Sequence, residues 1–125
     1  MGAIGELPES VVEVSFLTGL KKKFHLKCIR HSSLLGKKLK RIAVCGGTGA
    51  FLLKKAIASG ADAFLTADIK YHEYFDADKK ILLVDIGHYE SEQVIKDIFN
   101  ELLTKKNLNF AVHFSGIITN PVNYF

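Results

Sequence analysis

The stretch that decides the fold runs from Arg41 to Ile86, RIAVCGGTGA-FLLKKAIASG-ADAFLTADIK-YHEYFDADKK-ILLVDI. Three short and nearly all-apolar runs stand in it, Arg41–Cys45, Ala63–Ala67 and Ile81–Ile86, with the length and composition of strands covered on both faces. Between them, Ala50–Ser59 and Ile69–Ala77 read as helices, with Gly60 stopping the first. A βαβαβ alternation with such strands requires a mainly parallel sheet flanked by helices, so the fold class is α/β. At 125 residues, the chain is expected to form a single α/β domain, residues 1–125.

Working outward, Met1–Pro8 reads as a loop-like lead, and Ser10-Val-Val-Glu13 matches a capping box that would start a helix. Val12, Phe16, Leu17, Leu20 and Phe24 would share one face of that helix, although the alternation Val12, Val14, Phe16 also suits a strand. Leu26–Arg30 is expected as a short strand and His31–Lys38 as a polar connection around Gly36. Downstream, Tyr89–Lys106 is expected as one long amphipathic helix, with Val94, Ile95, Ile98, Phe99, Leu102 and Leu103 as its buried stripe. Phe110–Phe114 reads as a further strand, and the tail 115–125 offers Ile117-Ile118 as an edge strand.

With 48% apolar residues the chain has enough hydrophobic side chains for a core, which excludes disordered and fibrous classes. Ile81–Val84 is among its longest apolar runs, far short of the roughly 18 residues that span a bilayer. No secretory pattern is seen at the N-terminus, and Cys28 and Cys45 lack CxxC spacing. Two free core thiols in a reducing, cytoplasmic compartment are the expectation. The net charge of +4 resides mainly in Lys21–Lys23 and in the run Lys37 to Arg41, which suit solvated helix ends and loops. Without interleaved aromatics or Cys/His finger spacing, a nucleic-acid partner is not expected.

Chemistry-bearing residues collect at three strand-to-helix junctions, which right-handed parallel crossovers bring to one sheet edge. In the first, Cys45-Gly46-Gly47-Thr48-Gly49, the glycines permit a close ligand approach, to an anion for example, or simply a tight turn. It is neither a Walker A motif nor a complete dinucleotide fingerprint. The second places Asp68 and His72 one helical turn apart after Thr66, for a cleft role or merely as a helix cap and an exposed histidine. The third places His88 and Glu92 one turn apart. An imidazole and a carboxylate so spaced can chelate a cation, or they can be an incidental pair at a helix start. His25, His31 and His113 have no acidic partner at ligand spacing, and Ser91 has no base arrangement for a triad.

The segments Arg41-Ile-Ala-Val-Cys-Gly-Gly-Thr-Gly49, Ala61-Asp-Ala-Phe-Leu-Thr-Ala-Asp-Ile-Lys-Tyr-His-Glu73 and Leu83-Val-Asp-Ile-Gly-His-Tyr-Glu-Ser-Glu92 together resemble the C-terminal half of the Nif three-like family, often catalogued as GTP cyclohydrolase I, type two. Ile4-Gly-Glu-Leu-Pro8 is similar to the segment that precedes that half. The resemblance implies one lobe of a two-lobed α/β protein, with a two-metal site in the cleft between lobes and a toroidal hexamer as a common assembly. It implies that His88 and Glu92 are metal ligands and that Gly46, Gly47, Thr66, Asp68 and His72 border the cleft or substrate. It further implies a cofactor of divalent metal ions, two in the parent protein, with zinc, iron and manganese undecided. The family's other lobe brings a His-His pair and an Asp, and this chain has no adjacent histidines. The expected partners are therefore a missing N-terminal lobe, further copies in a homo-oligomer and a small-molecule substrate, with no membrane. The expected function is part of a di-metal site of a hydrolase or cyclohydrolase acting on a nucleotide or phosphoester-like substrate, inactive alone. The alternatives are a non-catalytic assembly or regulatory module and, more remotely, a Rossmann-type nucleotide-binding domain with Asp68 on the ribose.

Overall fold

A computed structural model describes residues 2–106 and 111–125. Its centre is the sheet expected from the alternation. β3 (Lys38–Thr48), β4 (Ala63–Ala67) and β5 (Leu82–Asp85) are parallel neighbours, in register from Ile42 and Ala63 onward and from Ala63 and Leu82 onward. Along β4 the side chains alternate between two apolar layers. Phe64 joins Ala43, Leu53, Ala56, Ile69 and Leu83 on one face, and Ala63 and Leu65 join Leu20, Leu39, Ile42 and Val84 on the other. α2 (Leu53–Ala58) covers the first face and α1 (Glu13–Lys23) the second.

Both sheet edges, β1 (Ala3–Val12) beside β3 and β2 (Arg30–His31) beside β5, are antiparallel, so the order is β1-β3-β4-β5-β2 and only the centre is parallel. The expected loop at Met1–Pro8 is corrected by β1 (Ala3–Val12), which pairs with β3 from Ala3 opposite Val44 to Val12 opposite Lys38. Pro8 lies where the register shifts between Glu6 and Val11, so its missing N–H breaks no ladder bond there. Ser10 is thus a strand residue and caps nothing. Glu13, at the start of α1, is buried, and its carboxylate accepts the Leu35 and Gly36 N–H groups at 2.6 and 2.8 Å. Of the expected strand Leu26–Arg30, only its end is extended, as β2 (Arg30–His31) against β5.

Three helical readings also change. Ala50–Leu52 is a 3₁₀ turn leading into α2, and Tyr71–Ala77 is a 3₁₀ helix. The single helix expected over Tyr89–Lys106 is two, α3 (His88–Glu92) and α4 (Ile95–Lys105). Its apolar stripe is not buried, since Ile95, Ile98, Phe99 and Leu102 are all exposed. Phe110 lies outside the described residues, and neither 111–114 nor Ile117-Ile118 forms a strand. Cys45 is buried as expected, but Cys28 is exposed. Among the described residues no helix is long and apolar enough to cross a membrane.

Candidate metal-binding site

The carboxyl ends of β3, β4 and β5 converge as the junctions require. β4 ends in Ala67, and Asp68 follows with φ +56°, a left-handed turn that swings its carboxylate back over the sheet edge. There Asp68 Oδ2 accepts a hydrogen bond from Thr48 Oγ1, at the end of β3, at 2.6 Å and meets His88 Nδ1, beyond β5, at 2.5 Å. One carboxylate oxygen therefore ties all three junctions together. The bond from Thr48, followed by that to His88, holds the Asp68 carboxyl below the usual range. Reciprocally, the Asp68 bond raises the His88 imidazole, with Glu92 adding to the same direction.

With Nδ1 committed to Asp68, the other ring nitrogen of His88 points at Glu92, with Nε2 3.4 Å from Oε2 across one turn of α3. Gly47 lies beneath this pair. Its φ is +62°, and a Cβ there would come within 2.6 Å of Glu92 Oε1 and 3.2 Å of His88 Nε2. The Gly47 N–H donates to Ser91 Oγ at 2.8 Å, and its carbonyl accepts from the buried Thr66 hydroxyl at 2.9 Å, so the glycine turn is stitched to both neighbouring elements. Thr66 thus supports the turn from below. Gly46 has ordinary clearance from Ser91 and Glu92. His72 is not brought in: it is exposed on the 3₁₀ helix, edge-on to the Tyr71 ring.

Beside the pair opens a cavity of about 460 Å³, bordered by Asp68, His88 and Glu92 and by residues that sequence reasoning did not single out. Asp85, buried at the end of β5, is paired with Arg30 and also accepts the Ile69 and Gly87 N–H groups at 3.2 and 3.0 Å. A carboxylate ending an all-apolar strand was the available signal for it. Arg30, Asn120 and Tyr124, which also line the wall, lie in segments without a motif, whereas Glu90 stands inside the third motif without having been singled out.

The family model described as Duf34/NIF3 (NGG1p interacting factor 3) matches residues 1–121. The chain belongs to the Duf34/NIF3 family. Among curated relatives, a GTP cyclohydrolase 1 type 2 homolog of Staphylococcus epidermidis is 36% identical over 129 residues, covering 99% of this chain. Its Staphylococcus aureus counterpart is 34% identical. The chain spans 35% of the length of these relatives. Among solved structures, the Staphylococcus aureus protein SA1388 matches 100% of the chain and 42% of its own at a TM-score of 0.90 and 32% identity. A Bacillus cereus protein related to NIF3 matches 100% of the chain and 36% of its own at 0.81 and 30%.

The donor chemistry of this Duf34/NIF3 chain can be weighed against a metal cage. An imidazole Nε2 and a carboxylate that converge, with Nδ1 fixed by a second carboxylate, form the outer-carboxylate, histidine and metal-facing-nitrogen arrangement of many metal sites. The pair therefore suits a cation. It does not complete a cage, because no group of three or more His, Cys, Asp or Glu side chains is poised around one ion among the described residues. Asp68 commits its Oδ2 to Thr48 and His88, which gives it the task of orienting the imidazole.

Proposed function

We propose that this chain contributes one half of a di-metal site, with His88 and Glu92 as its ligands, to a protein that hydrolyses or ring-opens a nucleotide or phosphoester-like substrate. The observation that carries the reading is the convergence of His88 Nε2 and Glu92 over a glycine that leaves room for nothing larger. The name GTP cyclohydrolase 1 type 2 homolog carried by the relatives supports the substrate class. Divalent cations at such sites supply Lewis-acid polarisation of a substrate oxygen and a nucleophile available at neutral pH.

The chain's own residues have defined tasks in that scheme. Asp68 holds the proton on His88 Nδ1 and thereby leaves the Nε2 lone pair facing Glu92, so that a cation can bind between that nitrogen and the carboxylate. Ser91 and Thr66 fix the Gly47 turn beneath them, and Arg30, braced by Asp85, offers a positive group at the cavity wall. The remaining ligands come from a second lobe. Calorimetric titration with zinc or manganese tests this directly. Weak binding that vanishes in His88→Ala is expected, becoming tight only with a second lobe present. Tight stoichiometric binding by this chain alone, or weak binding indifferent to His88→Ala, overturns it.

A second reading is favoured by one observation, the exposed apolar face of α4 with Ile98, Phe99 and Leu102. An unpaired face of that kind suits association, so the chain would act in a homo-oligomer or as an assembly module. Light scattering showing a monomer over a wide concentration range would exclude that reading for the isolated chain.

A further inference from the structure

We propose that residues 120–124 form a strap that closes the cavity beside His88 and Glu92, latched on the carboxylate of Glu90. Glu90 Oε1 accepts hydrogen bonds from Asn120 Nδ2 at 3.2 Å and from the Tyr124 hydroxyl at 3.4 Å. Both donors, with Pro121 and Val122 between them, line the cavity that His88 and Glu92 also line. Asn120 also holds the strap's own shape, since its Oδ1 accepts the Val122 N–H at 3.0 Å. Burial, followed by the nearby Glu90, raises the Tyr124 phenol, in keeping with a hydroxyl held protonated as a donor.

Gly87 gives a second and independent observation. Its φ is +87°, and a Cβ there would lie 2.3 Å from Glu90 Oε2 and 3.3 Å from the Tyr124 hydroxyl. The bare backbone at this position is what lets latch and strap meet. Leading to the strap, 111–119 forms no helix or strand, and Ile117 and Ile118 are exposed. The strap therefore depends on its latch, and breaking two hydrogen bonds opens it. Its closed position walls the cavity beside the His88–Glu92 pair, so it selects by size what that cavity admits. The strap rests on the half-site reading only for what it encloses.

The test uses the full chain carrying 3-fluorotyrosine. Of its four tyrosines, Tyr124 is assigned by its loss in Tyr124→Phe. The Tyr124 fluorine signal is expected away from the free-tyrosine position in the parent chain and at that position, narrowed, in Glu90→Ala and Gly87→Ala. Glu90→Gln, which keeps a carbonyl acceptor, should retain most of the shift. A parent signal already at the free position, or one unmoved in Glu90→Ala, overturns the strap. These readouts need no metal. Absent zinc binding alongside a released strap in Glu90→Ala would refute the half-site and leave the strap standing.

Discussion

Gly47→Ala isolates the geometric claim of the site, because a single methyl group tests the backbone and the ligands together. The left-handed φ of +62° carries a strain for alanine that glycine lacks, about 1–2 kcal/mol. The methyl would also sit 2.6 Å from Glu92 Oε1, far inside contact distance. Glu92 is the end of a flexible and exposed side chain, so it can swing aside with little further loss of stability. The displacement, however, takes it away from His88 Nε2. Two separable effects are therefore expected: a fall in the melting temperature of about 4–8 °C, and loss of zinc binding beyond what that destabilisation explains. Gly46→Ala is the internal control, since its Cβ would meet Ser91 O and Glu92 Cγ at 3.8 and 3.9 Å, ordinary contact. Thermal denaturation followed by circular dichroism, with calorimetric zinc titration well below the melting temperature, reads both effects. Should Gly47→Ala bind zinc as the parent does, or should the two alanine variants behave alike, the close approach of turn and ligands is wrong.

Asp85→Ala should destabilise by about 3 kcal/mol in urea denaturation, because it strands the Ile69 and Gly87 N–H groups together; a loss under about 1 kcal/mol would contradict their pairing. Glu13→Ala removes the acceptor of the Leu35 and Gly36 N–H groups and should cost about 1–2 kcal/mol in the same assay, with Glu13→Gln recovering part. The Asp68–His88 pair predicts a stability difference between the parent and Asp68→Asn that depends on pH. The raised His88 contributes below its ordinary value near 6.5 and loses that contribution as pH rises through the folded value. The lowered Asp68 contributes above its ordinary value near 3.8 and loses it as pH falls through the folded one. The difference should therefore peak between those limits, and a flat profile would refute the pair.

What was legible in the sequence followed from patterns that one segment decides by itself. The runs Arg41–Cys45, Ala63–Ala67 and Ile81–Ile86 are apolar on both faces, and only a covered parallel sheet satisfies such runs, so the core was readable. That His88 and Glu92 lie side by side was readable for the same reason, their spacing being local. β1 was not, because an exposed edge strand containing Pro8 lacks apolar alternation, and its pairing with β3 depends on a segment 26 to 41 residues away. The capping box failed where tertiary structure won: Glu13 found better partners in Leu35 and Gly36 than in the backbone of Ser10. The stripe on α4 was read as buried, yet periodicity states which face is apolar and not what lies against it. His72 shows the limit of spacing arguments. A four-residue interval puts two side chains on one face only in an α-helix, and Asp68 precedes a 3₁₀ helix that starts at Tyr71.

The arrangement around Asp68 explains why a half-site could be worth keeping rigid. In the proposed half-site, two donors on one turn of a five-residue helix would hold a cation weakly, and a side chain free to rotate would weaken it further. Here one rotation is removed from each direction: Asp68 pins the imidazole through Nδ1, and the Gly47 turn, itself held by Ser91 and Thr66, limits where Glu92 can go. Little ordering then remains to be done when further ligands arrive, so most of their binding free energy goes into affinity. The sheet edge supplies this rigidity from three strands at once, which a loop of the same composition could not do. On that argument, loosening Asp68 should weaken binding even though it touches no ion. Asp68→Ala is expected to lower zinc affinity about 10–100-fold in the presence of a second lobe. Nitrogen-15 spectra of its His88 should show a mixture of ring tautomers in place of the single Nδ1–H form. An Asp68→Ala chain with unchanged affinity and one tautomer would mean that the imidazole is oriented by something other than this carboxylate.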